Sequence, residues 1–296
     1  MSEAVVSEAV VRVGCSRRGC SCSLARGDGP RGGERMAIDK SQQRIRRMFG
    51  AIAPRYDMMN RLMTMGLDRL WRRRTVRSVS LDPELPVLDV CCGTGDLTLS
   101  WLDRLNRLGR SATVVGSDFT QAMLVRARAK SQGRIRSADR LGVEDGGVVF
   151  LGADTLKLPY RSDLFQVVSV GFGIRNVGDT LGGLREMTRV CRPGGFVIVL
   201  ETSVPRLPVL GSLFRFYFHH IVPRIGRWLS PDPDGAYAYL PASTAEFPGG
   251  EAFADVMREA GLEQVTIRPL TLGSVTLYVG SKPAGHAGLG PNRLLS

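Results

Sequence analysis

The sequence predicts an α/β fold: a seven-stranded, mainly parallel sheet with the last strand antiparallel, helices on both faces, an N-terminal helical cap and a helical insertion. Three observations predict it. Strand-sized apolar runs alternate with helical periods from Val87 to Gly280. A Gly93-Thr94-Gly95 turn joins the first of those strands directly to a helix. The last two strands are too close in sequence for a crossover helix between them, which makes the final one antiparallel.

Each element follows from its own pattern. Residues 1–36 are poor in large apolar side chains and rich in Gly, Ser and Arg, the composition of a disordered tail. They lack the apolar stretch of a secretory signal, and a translation start at Met36 is the alternative reading of the whole tail. Residues 37–80 form the cap. Ile45, Met48 and Phe49, then Met59, Leu62 and Met63, repeat at i, i+3, i+4, with Pro54 and Gly66 as breaks, so two or three short helices are expected.

The main domain spans residues 81–282. Strands are expected at Val87–Cys91, Thr113–Asp118, Val148–Leu151, Phe165–Val170, Gly195–Glu201, Gln264–Pro269 and Ser274–Gly280. Helices are expected at Asp96–Leu108, Gln121–Lys130, Thr180–Val190 and Glu251–Ala260. A Pro-interrupted helical insertion, residues 205–248, should form a lid, and residues 283–296 read as a loose tail.

A chain of 296 residues can bury one large core. No apolar run reaches the ~20 residues of a membrane span. The formal charge of +12 is uneven: residues 41–80 hold ten arginines against two aspartates. Such a segment meets nucleic acid, an anionic membrane or an anionic ligand, or is simply a solvated helix face. Of six cysteines, Cys15, Cys20 and Cys22 lie in the tail without histidine at zinc-ligand spacing, and Cys91, Cys92 and Cys191 lie in or beside strands. No metal site and no disulfide framework is expected, and the compartment should be reducing.

The chemistry centres on Val87-Leu-Asp89-Val-Cys-Cys-Gly93-Thr94-Gly95-Asp96. Glycines in such a turn allow positive φ and close approach of a ligand, and the helix behind it presents free N–H groups. Thr98 stands where a dinucleotide site would carry a third glycine, which disfavours a pyrophosphate. Asp118 closes the next strand, where a carboxylate can accept both ribose hydroxyls. Asp154, after the third strand, is suited to an adenine amino group, or is a turn or cap residue. A glycine turn for an amino-acid moiety and a carboxylate for ribose describe an adenosyl amino acid better than a dinucleotide. Asp89, Gly93, Thr94, Gly95, Asp118, Asp154, Thr155 and Gly171 are the expected cofactor residues.

Further segments carry a resemblance. They are Phe49-Gly-Ala-Ile-Ala-Pro-Arg-Tyr-Asp57-Met-Met-Asn60, Gly66-Leu-Asp-Arg-Leu-Trp71-Arg, Gly171-Phe-Gly-Ile-Arg175-Asn176-Val, Arg189-Val-Cys-Arg-Pro-Gly-Gly195, His220-Ile-Val-Pro-Arg-Ile-Gly226 and Tyr237-Ala-Tyr239-Leu240. From about residue 40 to 282 the chain resembles the menaquinone/ubiquinone-biosynthesis C-methyltransferases, class I enzymes of Rossmann-like fold. The resemblance implies S-adenosylmethionine as methyl donor, with contacts at Thr94, Asp118, Asp154 and Thr155. It implies a demethylmenaquinol or polyprenyl-methoxy-benzoquinol as acceptor. Gly171 stands where the family usually has serine, which leaves a backbone contact, and Gln166 stands where an aspartate commonly follows the phenylalanine.

Methylating a quinol carbon needs a group that stabilises a phenolate and a group that relays a proton. Arg175 is placed for the first role and Asn176 for orienting a water, unless Arg175 only pairs with a loop carboxylate. His220 is a candidate proton acceptor or a helix-packing residue. Tyr56, Asn60, Tyr237 and Tyr239 are expected around the acceptor. Met58, Met59, Met63 and Met65, and Phe214, Phe216, Phe218, Ile221 and Val222, offer apolar surface to a prenyl tail or belong to ordinary core. The expected partners are a prenylated quinol and, at the cytoplasmic inner face, an anionic membrane touched peripherally. Self-association stays open. Nucleic acid is not expected, because neither an Asn/Asp-Pro-Pro-Tyr segment nor a Pro-Cys nucleophile is present. Another small phenolic or lipid acceptor is the alternative.

Overall fold

The structure, a computed structural model, describes residues 41–108, 112–139, 147–205, 211–212, 216–222, 224 and 236–284, with the side chains at 133–139, 218–219 and 236–238 left aside. The expected tail of residues 1–36 lies outside them, as do residues 285–296 and much of the 205–248 insertion.

Three helices form the described cap. Helix α1 (Gln42–Ile52) turns Ile45, Met48 and Ile52 inward. Pro54 initiates a single 3-10 turn, Ala53–Arg55, that leads into α2 (Tyr56–Met63). Gly66, at φ +78°, turns the chain into α3 (Asp68–Val76). Trp71 is buried there and its indole N–H donates to Thr271 Oγ1 at 2.7 Å.

The sheet is built from β1 (Val87–Val90), β2 (Val114–Asp118), β3 (Val148–Gly152), β4 (Phe165–Gly171), β5 (Cys191–Thr202), β6 (Glu263–Leu270) and β7 (Val275–Ser281). Their spatial order is β3-β2-β1-β4-β5-β7-β6. The first five pair in parallel, and β7 runs antiparallel between β5 and β6. Central strands β1 and β4 are buried almost throughout because helices cover both their faces. Along β5, Phe196, Ile198 and Leu200 join the core under α3 and α4 (Asp96–Arg107), with Leu99 and Trp101. Val197 and Val199 join the opposite core, with Leu184 and Met187 of α6 (Thr180–Val190) and Phe253 and Met257. This alternation is the two-residue period of a strand.

The remaining helices are α5 (Gln121–Asp139), α7 (Ala236–Glu246, with Pro241 inside) and α8 (Glu251–Glu259). Helix α5 continues past the expected end at Lys130, because the polar run after it carries no apolar period to read. The Pro193-Gly194-Gly195 turn lies within β5 as a bulge. Phe165 pairs with Cys191 but Val167 with Phe196, so the intervening residues loop out around Gly194 at φ +71°.

Strand order reverses at β1, with β2 on one side and β4 on the other. That leaves a crevice at the carboxyl ends of these strands, where open α/β sheets receive ligands.

Gln166, left without a reading from sequence, has a structural role. It is 2% exposed. Its amide accepts from Asp82 N at 2.8 Å and donates to the carbonyls of Asp82, at 2.7 Å, and Leu85. An aspartate could accept but not donate at this place. Gln166→Leu strands these backbone groups, and a cost of about 1–3 kcal/mol is expected. Urea unfolding should show a lower midpoint at unchanged slope. An unchanged midpoint would mean that the 82–86 loop holds itself.

Candidate active site

Strand β1 ends in a turn with Cys91 at φ +48°, Gly93 at +55° and Gly95 at +82°. A Cβ on Gly95 would lie 2.9 Å from the Phe150 ring and 3.1 Å from Ala127 Cβ, so the turn packs tightly behind. A Cβ on Gly93 would meet nothing within 4 Å, so the turn is open in front. Asp118, at the end of β2, accepts from Gly93 N–H at 2.9 Å and Thr120 N–H at 2.7 Å. Each carboxylate oxygen thus holds one backbone donor and keeps lone-pair capacity. Asp118 lines a cavity at this point and is 7% exposed. Burial raises its pKa against the two backbone N–H groups that lower it.

Asp89 also borders this cavity, but its oxygens are engaged inside the fold. Thr98 Oγ1 donates to Oδ2 and Ser169 Oγ to Oδ1, both at 2.7 Å, and Trp101 Nε1 donates to Ser169 Oγ at 2.9 Å. Thr98 therefore ties α4 to β1 where a dinucleotide fold would place a third glycine. Burial drives the Asp89 carboxyl up to about 7, only partly offset by the two hydroxyls. The folded protein binds this proton more tightly than the unfolded chain does. Its contribution to stability is complete below pH 3.8 and is lost as pH rises through about 7. Asp89→Asn cannot titrate, so its stability should gain on the parent's between about pH 4 and 7, with the difference steady above that. Parallel stability curves for the two proteins would refute this assignment.

At the far end of the cavity, Asp154 Oδ1 accepts from Leu156 N–H at 3.0 Å, closing a turn. Its Oδ2 accepts from Gln42 Nε2 of α1 at 2.5 Å. Asp154 thus shapes a turn, and it also lines the cavity. Thr155 Oγ1 lies 3.3 Å from Cys91 Sγ, and Ile45 and Phe49 of α1 lie across the opening. Gly171 borders the cavity as backbone, and a Cβ there would sit 3.1 Å from Leu97 Cδ2.

Past β4, Phe172 has φ +58°, and a Cβ on Gly173 would lie 2.4 Å from Cys91 Cβ. Only glycine lets the ends of β1 and β4 touch in this way. The next turn, Ile174–Asn176, buries Arg175 to 5% exposure. Arg175 Nη1 pairs with Glu201, itself 1% exposed at the end of β5. Arg175 Nε and Glu201 Oε2 remain without a hydrogen-bond partner among the described residues. Asn176 Oδ1 accepts from Tyr239 OH at 3.1 Å.

Arg175 faces a second, mostly apolar cavity that also touches Met48, Met63, Trp71, Tyr217 and Tyr239. Phe49, Tyr56, Asn60, Arg72 and Phe172 border both cavities and form their shared wall. Burial raises the Tyr56 pKa, opposed chiefly by its hydrogen bond with Asn60.

A polar cluster joins the cap to the glycine turn. Thr94 Oγ1 donates to Asp57 at 2.5 Å and accepts from Lys130 Nζ at 2.9 Å. Lys130 also pairs with Asp57 and Asp96, both at 2.7 Å. Arg72 bridges Asp68 at 2.6 Å and Asp96 at 3.4 Å. Asp57, Arg72 and Asp96 stand inside segments already singled out by motif. Gln42, Lys130 and Glu201 have no local signal in the sequence.

His220, expected as a proton acceptor or a packing residue, is exposed; its ring lies 5.2 Å from that of Phe216, and it borders neither of the two cavities described. The segment that carries it turns the histidine outward. The Tyr237 side chain lies outside the described residues, as do those of Phe214 and Phe218. The methionine stripe divides: Met59 is core and Met63 borders the second cavity, whereas Met58 and Met65 are exposed.

Residues 37–282 match the ubiE/COQ5 methyltransferase family. The ubiquinone/menaquinone biosynthesis C-methyltransferase UbiE of Geobacter sp. (strain M21) is 40% identical over 246 residues, covering 83% of this chain and 99% of that protein. The demethylmenaquinone methyltransferase of Deinococcus radiodurans is 39% identical over 244 residues, covering 82% and 94% respectively. Among solved structures, a SAM-dependent methyltransferase of Thermotoga maritima matches with a TM-score of 0.52 at 18% identity, over 80% of this chain and 98% of that one. That last likeness concerns the fold alone.

Proposed function

Because this chain belongs to the ubiE/COQ5 methyltransferase family, we propose that it transfers a methyl group from S-adenosylmethionine to a ring carbon of a prenylated quinol. S-adenosylmethionine-dependent methyl transfer to a small molecule is the activity that membership carries. The quinol is our own reading, and one observation supports it most: a cavity edged by Asp118 and Asp154 and a more apolar one share a wall at Tyr56, Asn60 and Phe172, with a buried guanidinium on the more apolar side.

The residues fit the donor. Asp118 keeps lone-pair capacity that would accept two ribose hydroxyls, Asp154 and Thr155 would hold the adenine, and the clear face of Gly93 would admit the amino-acid moiety. When bound, the donor supplies a methyl group already activated by a positive sulfur. The chain has to align it and keep water out. Helix α1 covers the cavity edged by Asp118 with Ile45 and Phe49.

The acceptor carbon becomes nucleophilic when a ring hydroxyl loses its proton. A guanidinium offers donors and no acceptor, so Arg175 would stabilise the phenolate rather than act as base. Glu201 fixes that guanidinium by its ion pair. Asn176, held by Tyr239, is suited to orient the water that takes the proton. That water would pass the first proton to solvent; after transfer the methylated ring carbon would give up its own proton, which returns through the water to the ring oxygen, so that aromaticity is restored and one proton is released overall.

Lipid-quinone mass spectrometry of a strain lacking this protein tests the reading. A quinone one methyl lighter should accumulate and disappear when the gene is restored. An unchanged quinone profile would redirect the search to other phenolic or lipid acceptors.

A further inference from the structure

The outward face of α2 carries Met58, Arg61 and Leu62 at spacings of three and four, one side of a helix, and Met65 follows in the turn beyond it at φ +51°. Met58 is 52% exposed, Leu62 47% and Met65 78%. Tyr217 OH donates to the Met63 carbonyl at 2.8 Å, which ties the 216–222 segment to the end of this helix. That segment adds exposed Phe216 and Ile221, and α3 adds exposed Leu70. Large apolar side chains grouped in this way mark an interaction surface.

Charge decides the partner. Arg61, Arg69 and Arg73 stand exposed on these helices, with no ion pair among the described residues. The two acids of the same helices are turned inward, Asp57 to Thr94 and Lys130, Asp68 to Thr64 and Arg72. The outer face is thus apolar and cationic only. Interleaved apolar and arginine side chains suit an anionic lipid interface, where the first enter the acyl boundary and the second meet head-group phosphates. No helix among the described residues is long and apolar enough to cross a membrane. Met63, Thr64 and Tyr217, on the inner side of the same elements, border the apolar cavity.

We propose that the face carrying Met58, Arg61, Leu62, Met65 and Arg69 docks on an anionic bilayer, so that a lipid-borne acceptor reaches the apolar cavity from the membrane side. The second half of this statement rests on the quinol reading; the docking itself does not.

The test uses the full chain and vesicles that contain no quinol. Flotation should recover it with phosphatidylcholine vesicles holding about one third phosphatidylglycerol, and far less with pure phosphatidylcholine. Raising salt to about 0.5 M should weaken the binding without abolishing it. The triple variant Met58→Gln, Leu62→Gln, Met65→Gln should bind at least ~10-fold more weakly. It should methylate a short-tailed quinol in detergent at the parent's rate, because these side chains border neither cavity. Binding by the triple variant equal to the parent's would overturn the proposal. So would equal recovery on bulk RNA that the triple substitution leaves untouched, since a purely electrostatic surface would then explain it. Docking without methylation of any quinol would overturn the acceptor assignment and leave the docking face standing.

Discussion

Asp118→Ala should lower affinity for the methyl donor by about two to three orders of magnitude. Two hydrogen bonds to a charged acceptor are worth about 1.5–3 kcal/mol each, and the upper part of that loss falls on binding alone. The same substitution also frees the N–H groups of Gly93 and Thr120, so the glycine turn loses its anchor to β2. Asp118→Asn impairs both effects in part, so the two are told apart by separate measurements. Its amide oxygen can serve one backbone donor but not both, and its amide group cannot accept from a ribose hydroxyl. Calorimetry with S-adenosylhomocysteine measures the affinity, and thermal unfolding without ligand measures the anchor. An Asp118→Ala protein that binds as tightly as the parent would remove the ribose role.

Arg175→Ala should slow methyl transfer about 10²- to 10³-fold, the usual cost of deleting one donor to a developing oxyanion. Donor affinity should change by only a few-fold, because Arg175 borders the more apolar cavity and not the one edged by Asp118. A complication arises from Glu201. Without its partner it becomes a buried unpaired carboxylate, and breaking such a pair costs about 3–5 kcal/mol. Burial already raises the Glu201 pKa, while Arg175 lowers it. The double variant Arg175→Met, Glu201→Gln removes both charges at similar volume and should regain most of the stability. It should not regain activity. If activity returned with stability, Arg175 would be a structural residue and the phenolate would need another stabiliser. A kcat fall matched by an equal fall in donor affinity would point the same way.

Much of the site was legible because its signals are local. The glycine turn, Asp118 at a strand end and the Phe172-Gly173-Ile174-Arg175-Asn176 run each announce themselves within a few residues. Gly173 is a case in point: the motif singled it out, and a contact with Cys91 explains it. His220 shows the opposite. Its position in a motif and its suitable chemistry suggested a base, yet neither says which way a short helical segment faces. The described structure turns it to solvent beside Phe216. Gln166 was visible as a departure from pattern, but its meaning needed the 82–86 loop to lie against it.

The sequence by itself determined the order of strands and helices, the antiparallel last strand and the ligand-binding end of the sheet. Hydrophobic period and turn chemistry are properties of adjacent residues, so they can be read in a line. Tertiary structure alone decided the pairings that complete the site. Arg175 meets Glu201 across 26 positions, Thr94 meets Asp57 across 37, and Asp154 meets Gln42 across 112. Such contacts depend on how the cap settles on the sheet. Docking of this kind is fixed by the shape of the whole buried surface, which no single segment encodes.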